Sequence, residues 1–146
     1  MSLINSPLIG TWKLIQCQGV SKEGEVCFPY GDNPYGQLIY TAKGTMSVLF
    51  SDTSRQNFVS EDLEATTDNE KLKAYETLDA YCGKYTVVES DEIVIHHIKA
   101  GRVPNWTGLD RSRSFKIIGD QLTLKTEYFP MRGSEWIVEV VWQRVL

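Results

Sequence analysis

The chain has 146 residues, 42% of them hydrophobic and 23% charged, a profile that fits one globular domain spanning residues 1–146 with a sizeable core. Its net charge is −4 and its 15 Lys and Arg are scattered among 19 Asp and Glu, so the basic footprint of a nucleic-acid binder is missing. Apolar runs stay far shorter than a membrane span, so neither nucleic acid nor membrane is an expected partner.

Strand signals dominate in chain order. Met1–Pro7 shows no basic stretch and no long apolar run, so no secretory signal is expected and a cytoplasmic location is. Gly10–Gln18 then alternates, with Trp12, Leu14 and Gln16 set against Lys13, Ile15 and Cys17. A short strand is expected near Val26–Phe28. Gln37–Thr41 and Thr45–Phe50 flank Ala42-Lys43-Gly44 and read as a hairpin.

Ser60–Cys82 interrupts the series. Thr67 and Glu70 form a capping-box signature. Leu72, Tyr75, Leu78 and Cys82 follow at helical spacing, with Lys71, Lys73, Glu76 and Asp79 on the other side. A helix over about Asn69–Cys82 is expected, laying Leu72, Tyr75 and Leu78 on the barrel. Tyr85–Val88 and Ile93–Ile98 then flank Ser90-Asp91-Glu92. Ser112–Ile118 and Gln121–Glu127 flank Gly119-Asp120, a turn that wants positive φ.

Trp136–Arg144 ends the chain with Trp136, Val138, Val140 and Trp142 on one face. About nine sequential antiparallel strands leave two raw edges unless they close, so a closed barrel of about 8–10 strands with one inserted amphipathic helix is expected. Trp12 in the first strand and Arg144 in the last are expected to close one barrel end together. There the guanidinium lies across the indole and reaches loop carbonyls.

Several motifs carry a family resemblance in one order from about Leu8 to Val145. They are Leu8-Ile9-Gly10-Thr11-Trp12-Lys13-Leu14, Asn33-Pro34-x-Gly36-x-Leu38-Ile39-Tyr40-Thr41-x-x-Gly44-x-Met46, Gly83-x-Tyr85, His96-His97, Pro104-Asn105-Trp106-x-Gly108, Arg113-Ser114-Phe115 and Val141-Trp142-x-Arg144. Together they make the chain resemble the microbial lipocalin-like domain family. That resemblance implies a calycin-type barrel related to the true lipocalins, and some members accompany secondary-metabolite gene sets. Cys82 stands where an aromatic is common before the Gly-x-Tyr, a departure that bears on pocket volume.

The chemistry-bearing residues are few. His96 and His97 are adjacent, so on a strand they face opposite ways, at most one points inward, and they cannot share a metal. Neither a metal nor a cofactor is expected, since no phosphate-binding loop or nucleophile elbow is present. Arg113 is in phase with Arg111, Phe115 and Ile117. An inward arginine must be paired, with Glu127, Glu139 or Asp110 as partners, or must meet an anionic ligand. Asn105 and Trp106 sit on a rim loop, where Trp106 either anchors the turn or caps the mouth. Tyr40, Tyr85, Trp136 and Trp142 read first as core and second as pocket wall. The three cysteines, Cys17, Cys27 and Cys82, read as reduced, buried small hydrophobes.

The expected function is binding of a small, largely hydrophobic molecule inside the barrel, a carboxylated one if Arg113 meets the ligand rather than an internal partner. The ligand-binding set is Tyr40, Tyr85, His96, His97, Asn105, Trp106, Arg113, Trp136 and Trp142. Two alternatives stand beside it. One is a barrel enzyme of isomerase or cyclase type acting on a hydrophobic biosynthetic intermediate, and the other is an interaction protein whose barrel is filled.

Overall fold

Short turns between alternating segments commit the chain to antiparallel pairing between neighbours, and each expected hairpin forms. In the computed structural model, which describes residues 3–146, the strands are β1 (Gly10–Ser21), β2 (Val26–Cys27), β3 (Tyr35–Tyr40), β4 (Thr45–Ser51), β5 (Leu78–Val88), β6 (Ile93–Gly101), β7 (Asp110–Ile118), β8 (Gln121–Thr126), β9 (Phe129–Met131) and β10 (Ser134–Arg144). One α-helix, α1 (Asp68–Glu76), lies between β4 and β5. The pairing order is β1-β3-β4-β5-β6-β7-β8-β10, and β10 returns to β1 along nearly its whole length. That circuit is a closed eight-stranded antiparallel barrel. The short strands β2 and β9 extend β1 and β10 outside it.

The structure corrects the simple alternation expected for β1. A bulge at Ile15 lets Leu14 pair with Trp142 while Gln16 pairs with Val141. The extra residue shifts the phase, so Cys17 points into the barrel, whereas Ile15 and Gln16 face out.

The helix is also shorter than expected. It keeps its capping box, in which Thr67 accepts from the Glu70 amide and Glu70 accepts from the Thr67 amide. It ends at Glu76, and Leu78 and Cys82 belong to β5. Leu72 and Tyr75 stay largely exposed, so α1 does not lay an apolar face on the barrel. Asp79, assigned from helical spacing to a solvent face, is instead buried on β5. Cys17 and Cys27 are buried as expected, but Cys82 is exposed and has no part in shaping the interior.

The core fills one end of the barrel. Leu8, Trp12, Leu38, Tyr40, Met46, Tyr85, Val94, Leu122 and Trp142 form a continuous buried cluster there. Trp12 pairs with Arg144 in the β1–β10 register, and the guanidinium lies 4.2 Å from the centroid of the indole. Trp12 Nε1 donates to the Leu8 carbonyl at 2.9 Å. Arg144 donates to the Pro7 and Ile9 carbonyls at 2.7 and 3.0 Å, tying the N-terminal segment across this end.

Candidate functional site

Packing stops short of the other end, leaving a cavity of about 360 Å³. That volume lies within the range of small-ligand sites. Its wall is built by alternation. On β5, Asp79 and Tyr81 point inward. On β6, His96 does so, and on β7 Arg111 and Arg113 follow. Across from them Leu38, Val48, Leu124, Val138, Val140 and Trp142 supply an apolar surface. Tyr30 and Phe50, stacked with centroids 5.3 Å apart, line the wall, and Trp106, Phe129 and Met131 complete it.

His96 is the centre of the buried polar group. Its Nε2 lies 2.6 Å from the Tyr40 hydroxyl and its Nδ1 lies 2.7 Å from the Tyr81 hydroxyl. Burial, with the Arg113 charge as a lesser cause, holds the imidazole well below its ordinary value, so the ring is neutral. Burial raises both phenols as well, so Tyr40 and Tyr81 remain protonated.

The two arginines stand side by side at this end. Burial first, and the Arg113 guanidinium second, pull Arg111 below the ordinary arginine value. Arg111 lies over Trp106 at 5.3 Å from the ring centroid. The Arg113 side chain donates to the Ser112 carbonyl at 3.2 Å and lies beside the Tyr81 hydroxyl. None of the expected carboxylate partners reaches it. Asp110 bonds His97 at 2.7 Å, Glu139 pairs with Lys125 at 3.5 Å, and no ion pair among the described residues includes Arg111 or Arg113. Two guanidinium charges therefore face the cavity with no carboxylate of the described residues at ion-pair distance, and Glu127 acts on Arg111 only from farther off, as the least of the causes that set its value.

Asp79 makes a separate, internally balanced unit. Arg102 Nε sits 3.3 Å from its carboxylate, and burial raises the carboxyl despite that neighbour. The same guanidinium donates to the Tyr75 carbonyl at 2.8 Å and lies 4.6 Å from the Tyr75 ring, so Arg102 pins α1 beside the mouth. Cys17 also lines the cavity, but burial pushes its thiol up to about 12, which leaves it an inert wall atom.

The expected ligand set divides in two. His96, Trp106, Arg113 and Trp142 line the cavity. Tyr40 lies behind His96 and reaches the cavity only through it. Tyr85 is buried against Tyr40 and donates to the Thr41 carbonyl at 2.6 Å, away from the cavity. His97 faces outward between Thr86 and Asp110, because its neighbour His96 takes the inward phase. Asn105 is exposed on the rim turn. Trp136 is buried against Gly19, beside the cavity but outside its lining.

Tyr81, Asp79, Arg102 and Tyr30 were not expected in the lining. For the first two the signal was present: counting back in twos from Tyr85 gives Gly83, Tyr81 and Asp79 on one strand face. The competing helical spacing of Leu78 and Cys82 masked it.

With this architecture in place, the sequence matches the lipocalin-like domain over residues 9–145. The chain belongs to the lipocalin-like domain family. No curated protein matches it. A lipocalin-like barrel of eight strands encloses room for one small ligand, and the apolar wall here suits a small hydrophobic molecule. No described helix is long and apolar enough to cross a membrane.

Proposed function

We propose that the protein binds a small amphipathic carboxylate inside the barrel. The head group meets Arg111 and Arg113, and the hydrocarbon lies among Leu38, Val48, Phe50, Trp106 and Trp142. The observation that carries this reading is the pair of cavity-facing arginines with no carboxylate partner. Buried or half-buried charges are paired in folded proteins, and a bound anion supplies the missing partner in bidentate geometry. The surrounding rings and aliphatic side chains suit an apolar tail.

The test is titration of the protein with decanoate and with the neutral methyl decanoate. Arg113→Gln should weaken decanoate binding by about tenfold or more and leave the ester within about twofold, because only the acid loses a charge-assisted pair. Equal loss for both, or no binding of decanoate by the parent, would return Arg113 to a structural role.

The isomerase or cyclase reading draws its support from the Tyr40–His96–Tyr81 chain ending at the cavity wall. Turnover of a bound ligand is the measurement that would separate it from simple binding. Three free cysteines support residence in a reducing, cytoplasmic setting.

A further inference from the structure

The direction of the hydroxyl–imidazole chain follows from hydrogen-bond accounting. A neutral imidazole has one N–H and one bare nitrogen, so one of Tyr40 and Tyr81 donates to His96 and the other accepts from it. With the proton on Nε2, Tyr40 accepts, and its own hydroxyl hydrogen is stranded in the packed end of the barrel. Tyr40 is 1% exposed there and has no other hydrogen-bond partner among the described residues. A buried donor left unmet bears the full cost of its desolvation.

With the proton on Nδ1, Tyr40 donates to Nε2 and Nδ1–H donates to the Tyr81 oxygen. Every polar hydrogen of the buried trio then has an acceptor except one. The remaining hydrogen belongs to Tyr81, whose side chain lines the cavity beside the Arg113 guanidinium.

We propose that Tyr40 holds His96 in the Nδ1–H form, so that Tyr81 donates its hydroxyl hydrogen into the cavity and joins Arg111 and Arg113 in an all-donor site for a carboxylate. Tyr81 is then a specificity-determining residue and Tyr40 a positioning residue that never touches the ligand. The ligand class rests on the carboxylate reading above, whereas the proton position on His96 does not.

The experiment uses the intact protein labelled with 15N, at neutral pH. The chain has only two histidines, and His97→Gln removes the exposed one, so the His96 ring nitrogens are read directly. Nδ1 should show the protonated signature and Nε2 the bare one; the reverse overturns the proposal. Tyr40→Phe should shift the ring toward the Nε2–H form and weaken decanoate, although position 40 lies outside the cavity. A merely structural role would leave the ring protonation unchanged.

Tyr81→Phe should weaken decanoate by about tenfold and methyl decanoate by much less. Decanoate binding by Tyr81→Phe equal to that of the parent would also overturn it. If the parent binds no decanoate while Nδ1 is protonated, the carboxylate reading falls and the donor assignment stands.

Discussion

Trp12 shows how one side chain carries several jobs. It is fully buried, its indole N–H is satisfied by the Leu8 carbonyl, and its ring face receives Arg144. Trp12→Ala removes one of the two largest buried side chains of this cluster and should cost roughly 3–5 kcal/mol, read as a fall in the urea midpoint at unchanged slope. Arg144→Ala should cost less, because its guanidinium is half-buried and its carbonyl partners can turn to water. A loss for Trp12→Ala no larger than for Arg144→Ala would place the stability of this end in the guanidinium. At the cavity the logic reverses. Arg111 and Arg113 lie where no carboxylate of the described residues comes within ion-pair distance, a cost that stability alone does not explain.

At the scale of elements, irregularities aim the site. The Ile15 bulge turns Cys17 inward, and a second irregularity opposite Gly83 leaves Lys99 of β6 without a partner on β5. A Cβ at Gly83 would sit 2.0 Å from the His97 carbonyl oxygen, a backbone atom that cannot move aside without opening the β5–β6 ladder. Gly83→Ala should therefore destabilise by at least about 1–3 kcal/mol and disturb the placement of His96 and Tyr81 on either side. A variant as stable as the parent would show that β6 yields freely here.

The helix behaves differently, since α1 has no buried residue. Thr67→Ala should cost about 1 kcal/mol of local helix stability, seen as faster amide exchange over Asp68–Glu76, with the global unfolding midpoint nearly unchanged. A matching fall in the global midpoint would mean that α1 unfolds together with the barrel.

For the whole molecule, the buried imidazole makes stability depend on pH. His96 is held well below its ordinary value of 6.5, so below that value the unfolded chain binds a proton that the folded protein refuses. Its contribution is fully present above pH 6.5 and is lost as pH falls toward the depressed value, at up to about 1.4 kcal/mol per pH unit. Asp79 acts in the opposite sense. Its raised carboxyl contributes stability below its ordinary value of 3.8, which is lost as pH rises through the folded value. Comparing the parent with His96→Gln cancels the Asp79 term. Between pH 7.5 and 5.0 the parent should lose more denaturant resistance than the variant, and parallel profiles would mean that His96 accepts its proton inside the fold.

The amino-acid sequence alone determined the barrel. Its hairpin turns, period-two segments and matched Trp12 and Arg144 are local or register properties, and each is written within a few residues. It also placed Arg111, Arg113, Phe115 and Ile117 on one face, which the structure turns inward, and kept His96 and His97 apart. What it left open was phase and depth. A bulge such as that at Ile15 adds one residue without a compositional mark. The choice between helix and strand over Leu78–Cys82 was decided by pairing with β4 and β6, which no local spacing reveals.

The polar heart of the cavity was decided only in three dimensions. Tyr40, Tyr81 and His96 come from three strands and meet because closure brings their inward faces within hydrogen-bond distance, at 2.6 and 2.7 Å. Likewise, the absence of a carboxylate beside Arg113 depends on where Asp110 and Glu139 turn, outward to His97 and Lys125. Periodicity assigns a residue to a face, but only the closed barrel decides what stands opposite it.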